Sequence, residues 1–204
     1  MAKRLSRKKP SPLDNLPEKS RYVSRGGDKL RGALDAFGVS ANGKICLDVG
    51  SSTGGFTDCL LQDGAHSVWA VDVGYGLLDY KLRNDPRIHL LERTNFRFLD
   101  LKRLDEQPTL ATVDVSFISL GQIFPVLKMI LPQGGEAIVL VKPQFEGSRK
   151  EVPGGFVKDE TTRQQILERV KAMTIGAGFE IKGLSDSTVK GRKGNQETFL
   201  YLQK

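Results

Sequence analysis

Short apolar runs recur along this chain, separated by stretches that are amphipathic or punctuated by glycine. The runs Lys44 to Val49, Val68 to Val73, Ile88 to Leu90, Leu110 to Val115 and Glu136 to Val141 have strand length, and their near-continuous apolarity predicts burial on both faces. Between them lie helical patterns. Tyr22 to Gly38 carries Leu30, Ala33, Leu34 and Phe37 at helical spacing, and further helices are expected from about Gly54 to Gln62, near Leu77 to Arg83, from Leu120 to Ile130 and over Asp159 to Ala177. Such alternation predicts an α/β fold with a mostly parallel sheet and helices on both faces. The last two β-like runs, Phe179 to Ser187 and Thr198 to Leu202, are joined by a segment too short for a helical crossover, so they should form an antiparallel hairpin at the sheet edge. A glycine-rich loop is expected over Phe145 to Phe156.

Composition narrows the setting. With 204 residues, 39% hydrophobic and 27% charged, the chain can build one full-sized domain and at most a short appendage. Cys46 and Cys59 fall in predicted core positions without the spacing of a zinc site or a disulfide framework, and are expected to be buried thiols. No apolar run has the length needed to cross a bilayer, and the basic start lacks the apolar segment of a secretory signal, which points to the cytoplasm. The net charge of +7 is concentrated at the start of the chain. Lys3, Arg4, Arg7, Lys8 and Lys9 precede Pro10, Pro12 and Pro17, so residues 1–20 read as a flexible basic arm that condenses on polyphosphate, and residues 21–204 as the folded domain. RNA is the expected partner, with no role for a membrane.

Candidate chemistry gathers where the strands end. Asp48-Val49-Gly50-Ser51-Ser52-Thr53-Gly54-Gly55-Phe56 reads as strand, glycine-rich turn and helix start, a form suited to cradling a nucleotide-like ligand. It lacks both the G-x-G-x-x-G of dinucleotide folds and the Gly-Lys-Ser/Thr of a P-loop, and so points to S-adenosylmethionine. A parallel sheet with an antiparallel terminal hairpin is also the Rossmann-like shape of a methyltransferase that uses this cofactor. Asp72, at the end of the second strand, is placed to accept from a ribose diol. Asp114 and Lys142 close neighbouring strands and should face one another, since a lysine there is costly to bury unless paired. Lys29 heads the first helix and Glu197 leads into the last strand.

Tyr22 to Leu30, Asp48 to Phe56, Val71 to Gly76, Asp114-Val115-Ser116-Phe117-Ile118-Ser119-Leu120, Val141-Lys142-Pro143-Gln144-Phe145-Glu146 and Lys193 to Glu197 together resemble the TlyA, or haemolysin A, family of ribosomal RNA 2′-O-methyltransferases, related to the FtsJ type. The resemblance spans residues 21 to 203. It implies a Lys-Asp-Lys-Glu catalytic tetrad that falls on Lys29, Asp114, Lys142 and Glu197, with Lys142 accepting the hydroxyl proton and the two carboxylates positioning the lysines. Gly50, Ser51, Gly54, Gly55 and Phe56 are then expected to cradle the methionine part of S-adenosylmethionine, Asp72 its ribose and Asn95 the adenine edge, with Asp48 also in the cofactor site. No metal is called for. Family members usually carry an S4-type RNA-binding domain ahead of this region, and here the arm, with Arg25, is expected to supply RNA contacts within ribosomal subunits. Two other readings stay open: an RNA-binding or ribosome-assembly factor on the same fold, and a membrane-active protein, as the haemolysin name suggests.

Overall fold

The computed structural model describes residues 21–204. The helices are α1 (Arg25–Phe37), α2 (Gly55–Gln62), α3 (Tyr80–Arg83), α4 (Phe124–Ile130), α5 (Pro143–Glu146) and α6 (Glu160–Gly176). The strands are β1 (Ile45–Val49), β2 (Ser67–Val71), β3 (Ile88–Leu91), β4 (Leu110–Val113), β5 (Glu136–Val141), β6 (Glu180–Asp186) and β7 (Thr198–Gln203). They form one sheet in the order β3-β2-β1-β4-β5-β7-β6. β1 to β5 run parallel, and β7 inserts antiparallel between β5 and β6. The terminal hairpin therefore supplies an inner strand as well as the edge.

Each face of the sheet has its own core. On one side α1 and α2 contribute Leu30, Leu34, Phe56 and Leu60, packed with Cys46 and Val68. On the other, α4 and α6 bring Phe124, Leu127, Ile130 and Val170 against Leu47, Val49, Val113 and Val139. Because side chains alternate along a strand, Cys46 and Asp48 of β1 face the first layer while Leu47 and Val49 face the second. Both cysteines are free and buried, and burial pushes their thiols up, Cys46 to about 12 and Cys59 to about 11, which leaves them protonated and inert.

Several elements are shorter than their apolar patterns, and each has a local stop. β2 ends at Val71 because the Asp72 carboxylate accepts from the Gly74 N–H at 2.7 Å and turns the chain. α3 begins only at Tyr80, capped by Asp79, whose carboxylate accepts from Lys81 N. The stretch from Leu120 to Ile130 is split into a 3₁₀ turn, Leu120–Gln122, and α4, with Pro125 lacking the N–H needed to continue a helix from upstream. Conversely, the single helical turn of α5 takes in Phe145 and Glu146, the first two residues of the expected loop.

Candidate active site

The sheet order reverses between β1 and β4, and the crevice above their carboxyl ends is where an open α/β sheet collects ligands. A cavity of about 460 Å³ opens there, lined by Gly50, Ser51, Ser52 and Thr53 of the turn after β1 and by Lys29, Asp114, Lys142 and Glu197. The turn after β1 is fixed to the sheet: the N–H groups of Gly50 and Ser51 both donate to the Val71 carbonyl, and Asp72 accepts from Ser52 N at 2.8 Å. Gly50 has φ 86°, and a Cβ there would lie 2.6 Å from the Asp114 carbonyl. Only glycine lets the two strand ends come this close.

The four charged residues form two ion pairs within this one cavity. Lys29 Nζ, from the second turn of α1, lies 2.6 Å from Glu197 Oε2, just before β7. Lys142 Nζ, at the end of β5, lies 2.6 Å from Asp114 Oδ1 beyond β4, and also donates to Ser116 Oγ at 3.0 Å. Glu197 is almost fully buried, and its other oxygen accepts from Gln144 Nε2 at 3.3 Å. Two ammonium groups and two carboxylates thus balance inside the cavity, where unpaired charges would be costly to desolvate.

The residues expected to hold a cofactor divide into three groups. Gly50, Ser51, Gly55 and Phe56 line the cavity, as does Arg25 at its rim. Asp72 lies beside it, with its carboxylate engaged by the N–H groups of Ser52 and Gly74. Asp48, Gly54 and Asn95 do not line it. Asp48 is fully buried beneath the turn, where it accepts from Thr57 Oγ1 at 2.7 Å and Thr112 Oγ1 at 3.1 Å. Strand alternation turns it toward α2, and burial pushes its carboxyl up to about 7 despite those two hydrogen bonds. Gly54 serves packing: its φ is 95°, and a Cβ would meet Leu82 at 2.3 Å. Asn95 caps a short 3₁₀ turn by accepting from Arg97 N. Lys3, Arg4, Arg7, Lys8 and Lys9 lie outside the described residues.

Four further residues complete the site. Ser116 touches Lys142, and Gln144 braces Glu197. Phe117 is 90% exposed at the cavity mouth, with φ 62°, and its ring lies 4.8 Å from that of Phe145. Glu146 reaches back from α5 to accept from Ser119 Oγ at 2.7 Å and Leu120 N at 2.8 Å. All four stand within the two strings that carry Asp114 and Lys142, and nothing in their spacing set them apart. Among the described residues no cluster of three or more His, Cys, Asp or Glu is arranged to hold a metal ion, and no helix is long and apolar enough to cross a membrane.

Known proteins share this design. A model of the FtsJ-like methyltransferases matches residues 22–204. YqxC of Bacillus subtilis, named as a candidate rRNA methyltransferase, is 50% identical over 193 residues, spanning 94% of this chain and 69% of that protein. The 16S/23S rRNA (cytidine-2′-O)-methyltransferase TlyA of Mycobacterium tuberculosis is 44% identical over 183 residues, covering 89% and 68%. The solved structure of a candidate hemolysin from Streptococcus thermophilus superimposes with a TM-score of 0.90 at 46% identity, covering 92% of this chain and 68% of that one.

Proposed function

The chain belongs to the FtsJ-like methyltransferase family, and from that premise we propose that it transfers the methyl group of S-adenosylmethionine to a ribose 2′-hydroxyl of ribosomal RNA, with cytidine as the target nucleoside. The observation that carries this reading is the convergence of Lys29, Asp114, Lys142 and Glu197 on one cavity that the glycine turn after β1 also lines. A cytoplasmic place of action follows from a ribosomal substrate.

The cavity suits the cofactor. Its volume falls within the roughly 300–1,000 Å³ of small-molecule sites. The Ser51 hydroxyl in its wall is buried without a hydrogen-bond partner, a state that costs about 1–3 kcal/mol unless a ligand satisfies it. Gly50, Ser51, Gly55 and Phe56 would hold the methionine part, and Asp72, adjoining Ser52, the ribose. When bound, the cofactor supplies a methyl group already activated on a sulfonium.

The remaining work is to present a hydroxyl, a poor nucleophile, in line with that methyl. Lys142 Nζ, as the neutral amine, accepts the 2′-hydroxyl proton and becomes the ammonium that Asp114 and Ser116 hold. Glu197 is pinned by Lys29 and Gln144 in the same cavity. Phe117 offers an exposed ring on which the target base stacks, an interaction worth about 1–3 kcal/mol per base on aromatic platforms. Arg25 and Lys190 at the rim meet phosphates. Orientation of this kind contributes up to about 7–11 kcal/mol in well-aligned systems.

The test is transfer of labelled methyl from S-adenosylmethionine to purified ribosomal subunits. Label in the rRNA from wild-type protein supports the reading. Cofactor binding by calorimetry with no label in any RNA would instead favour a binding or assembly role on the same fold.

A further inference from the structure

The two loops that carry the catalytic pair Asp114 and Lys142 are joined a second time, away from the cavity, by Glu146. Asp114 is followed by an exposed stretch, Ser116 and Phe117, in which Phe117 holds a left-handed backbone, φ 62°, that a bulky side chain rarely adopts. Nothing regular supports this stretch until the 3₁₀ turn at Leu120–Gln122. At that point the Glu146 carboxylate grips it twice, Oε2 on Ser119 Oγ at 2.7 Å and Oε1 on Leu120 N at 2.8 Å. Ser119 is itself the cap of that turn, its hydroxyl accepting from Gly121 N. Glu146 closes the single turn of α5, which starts directly after Lys142. A strap is thereby formed that runs from Lys142 through α5 to the far end of the Asp114 loop.

Resting on the reading of the reaction given above, we infer that Glu146 is a positioning residue that holds the Asp114–Phe117 loop in register with Lys142, so that the proton acceptor and the base-stacking ring face the same nucleotide. Glu146 does not line the cavity and touches no reacting group. It acts through a bidentate carboxylate grip, in which charge assistance makes each hydrogen bond roughly twice as strong as a neutral one. The Lys142–Asp114 pair and the Phe117–Phe145 contact join the same two loops at the cavity mouth, where a nucleotide enters. The Glu146 clasp is remote from that entry and can stay closed. Misplacement of a reacting group by about 1 Å costs up to a hundredfold in rate, which sets the scale of what the clasp protects.

The test is single-turnover methyl transfer to ribosomal subunits at saturating cofactor, with cofactor affinity measured on the same proteins. Glu146→Ala should slow transfer by about tenfold to a hundredfold while cofactor affinity stays within about twofold, because the cradle hangs from β1 and β2. Glu146→Gln should recover most of the rate, since its carbonyl still accepts from Leu120 N and its amide can donate to Ser119 Oγ. Ser119→Ala, which removes half of the clasp together with the cap of the 3₁₀ turn, should slow transfer less, and combining it with Glu146→Ala should add almost nothing. A rate for Glu146→Ala within twofold of wild type overturns the inference, as does strict additivity of Ser119→Ala and Glu146→Ala. Parallel loss of cofactor binding and rate in both Glu146 variants would overturn it as well, leaving a purely structural role. Failure of the wild-type protein to methylate any RNA would overturn the reading of the reaction and this inference together, a result separable from the others because it appears before any variant is compared.

Discussion

Lys142 and Asp48 are both charged residues of the parallel sheet's upper half, yet their surroundings assign them opposite tasks. Lys142 ends its strand at the cavity, beside Asp114 and Ser116, and Lys142→Ala should abolish methyl transfer while leaving cofactor affinity nearly unchanged. Lys142→Arg should fail too, because a guanidinium with a pKa above about 12 cannot accept a proton. Substantial single-turnover activity in the arginine variant would reduce Lys142 to an electrostatic clamp. Asp48 is sealed between α2 and β4, and its carboxyl is pushed up to about 7 by burial. In the unfolded chain it ionises near its ordinary value, so between the two values the folded state binds the extra proton. Its contribution to stability is therefore present at low pH and is lost as pH rises toward 7. Asp48→Asn keeps acceptor and donor groups for Thr57 and Thr112 without the titration. Denaturant unfolding should find it more stable than wild type at pH 8 by roughly 2–4 kcal/mol, with the gap closing toward pH 4.

Among the elements, the alternation of apolar runs and amphipathic stretches made the strand order along the chain, the parallel core and the antiparallel end legible, because buried parallel strands must be apolar on both faces. Boundaries were less legible where a side chain intervenes locally. Asp72 and Asp79 stop β2 and delay α3 through hydrogen bonds to nearby backbone N–H groups, and apolar spacing carries no trace of such bonds. The insertion of β7 between β5 and β6 was equally hidden, since a hairpin pattern does not tell which of its strands lies inside. Asp114 and Lys142 stood out because charge at the ends of buried strands is costly, whereas Lys29 and Glu197 entered only through the family resemblance. Glu146 was not legible, because its partners are a serine hydroxyl and a backbone N–H in a loop. The glycine turn reads as a cradle throughout, whereas Gly54 is required by the approach of α3: Leu82 and Leu78 occupy the space a Cβ would need. Gly54→Ala should therefore lower stability by roughly 1–3 kcal/mol through overpacking and the strained positive φ. A melting temperature equal to wild type would contradict this role.

For the molecule as a whole, the basic N-terminal residues and the tetrad lie apart along the chain. Residues 1–19 carry Lys3, Arg4, Arg7, Lys8, Lys9 and Lys19 against Asp14 and Glu18, while the tetrad lies within the domain matched by the family model. Deleting them should flatten the slope of log affinity for RNA against log salt by about 0.7–0.9 for each phosphate that is no longer neutralised, with the chemical step at saturating RNA little changed. An identical slope would place recognition on the rim of the cavity, with Arg25 and Lys190. The most direct measurement is to locate the methyl group itself. Ribosomal subunits incubated with labelled S-adenosylmethionine and either wild-type or Lys142→Ala protein are digested to nucleosides, which are separated and identified by mass. The tetrad geometry predicts label in a 2′-O-methylated nucleoside for the wild type and none for the variant. Label on a base, or equal label with Lys142→Ala, would contradict it.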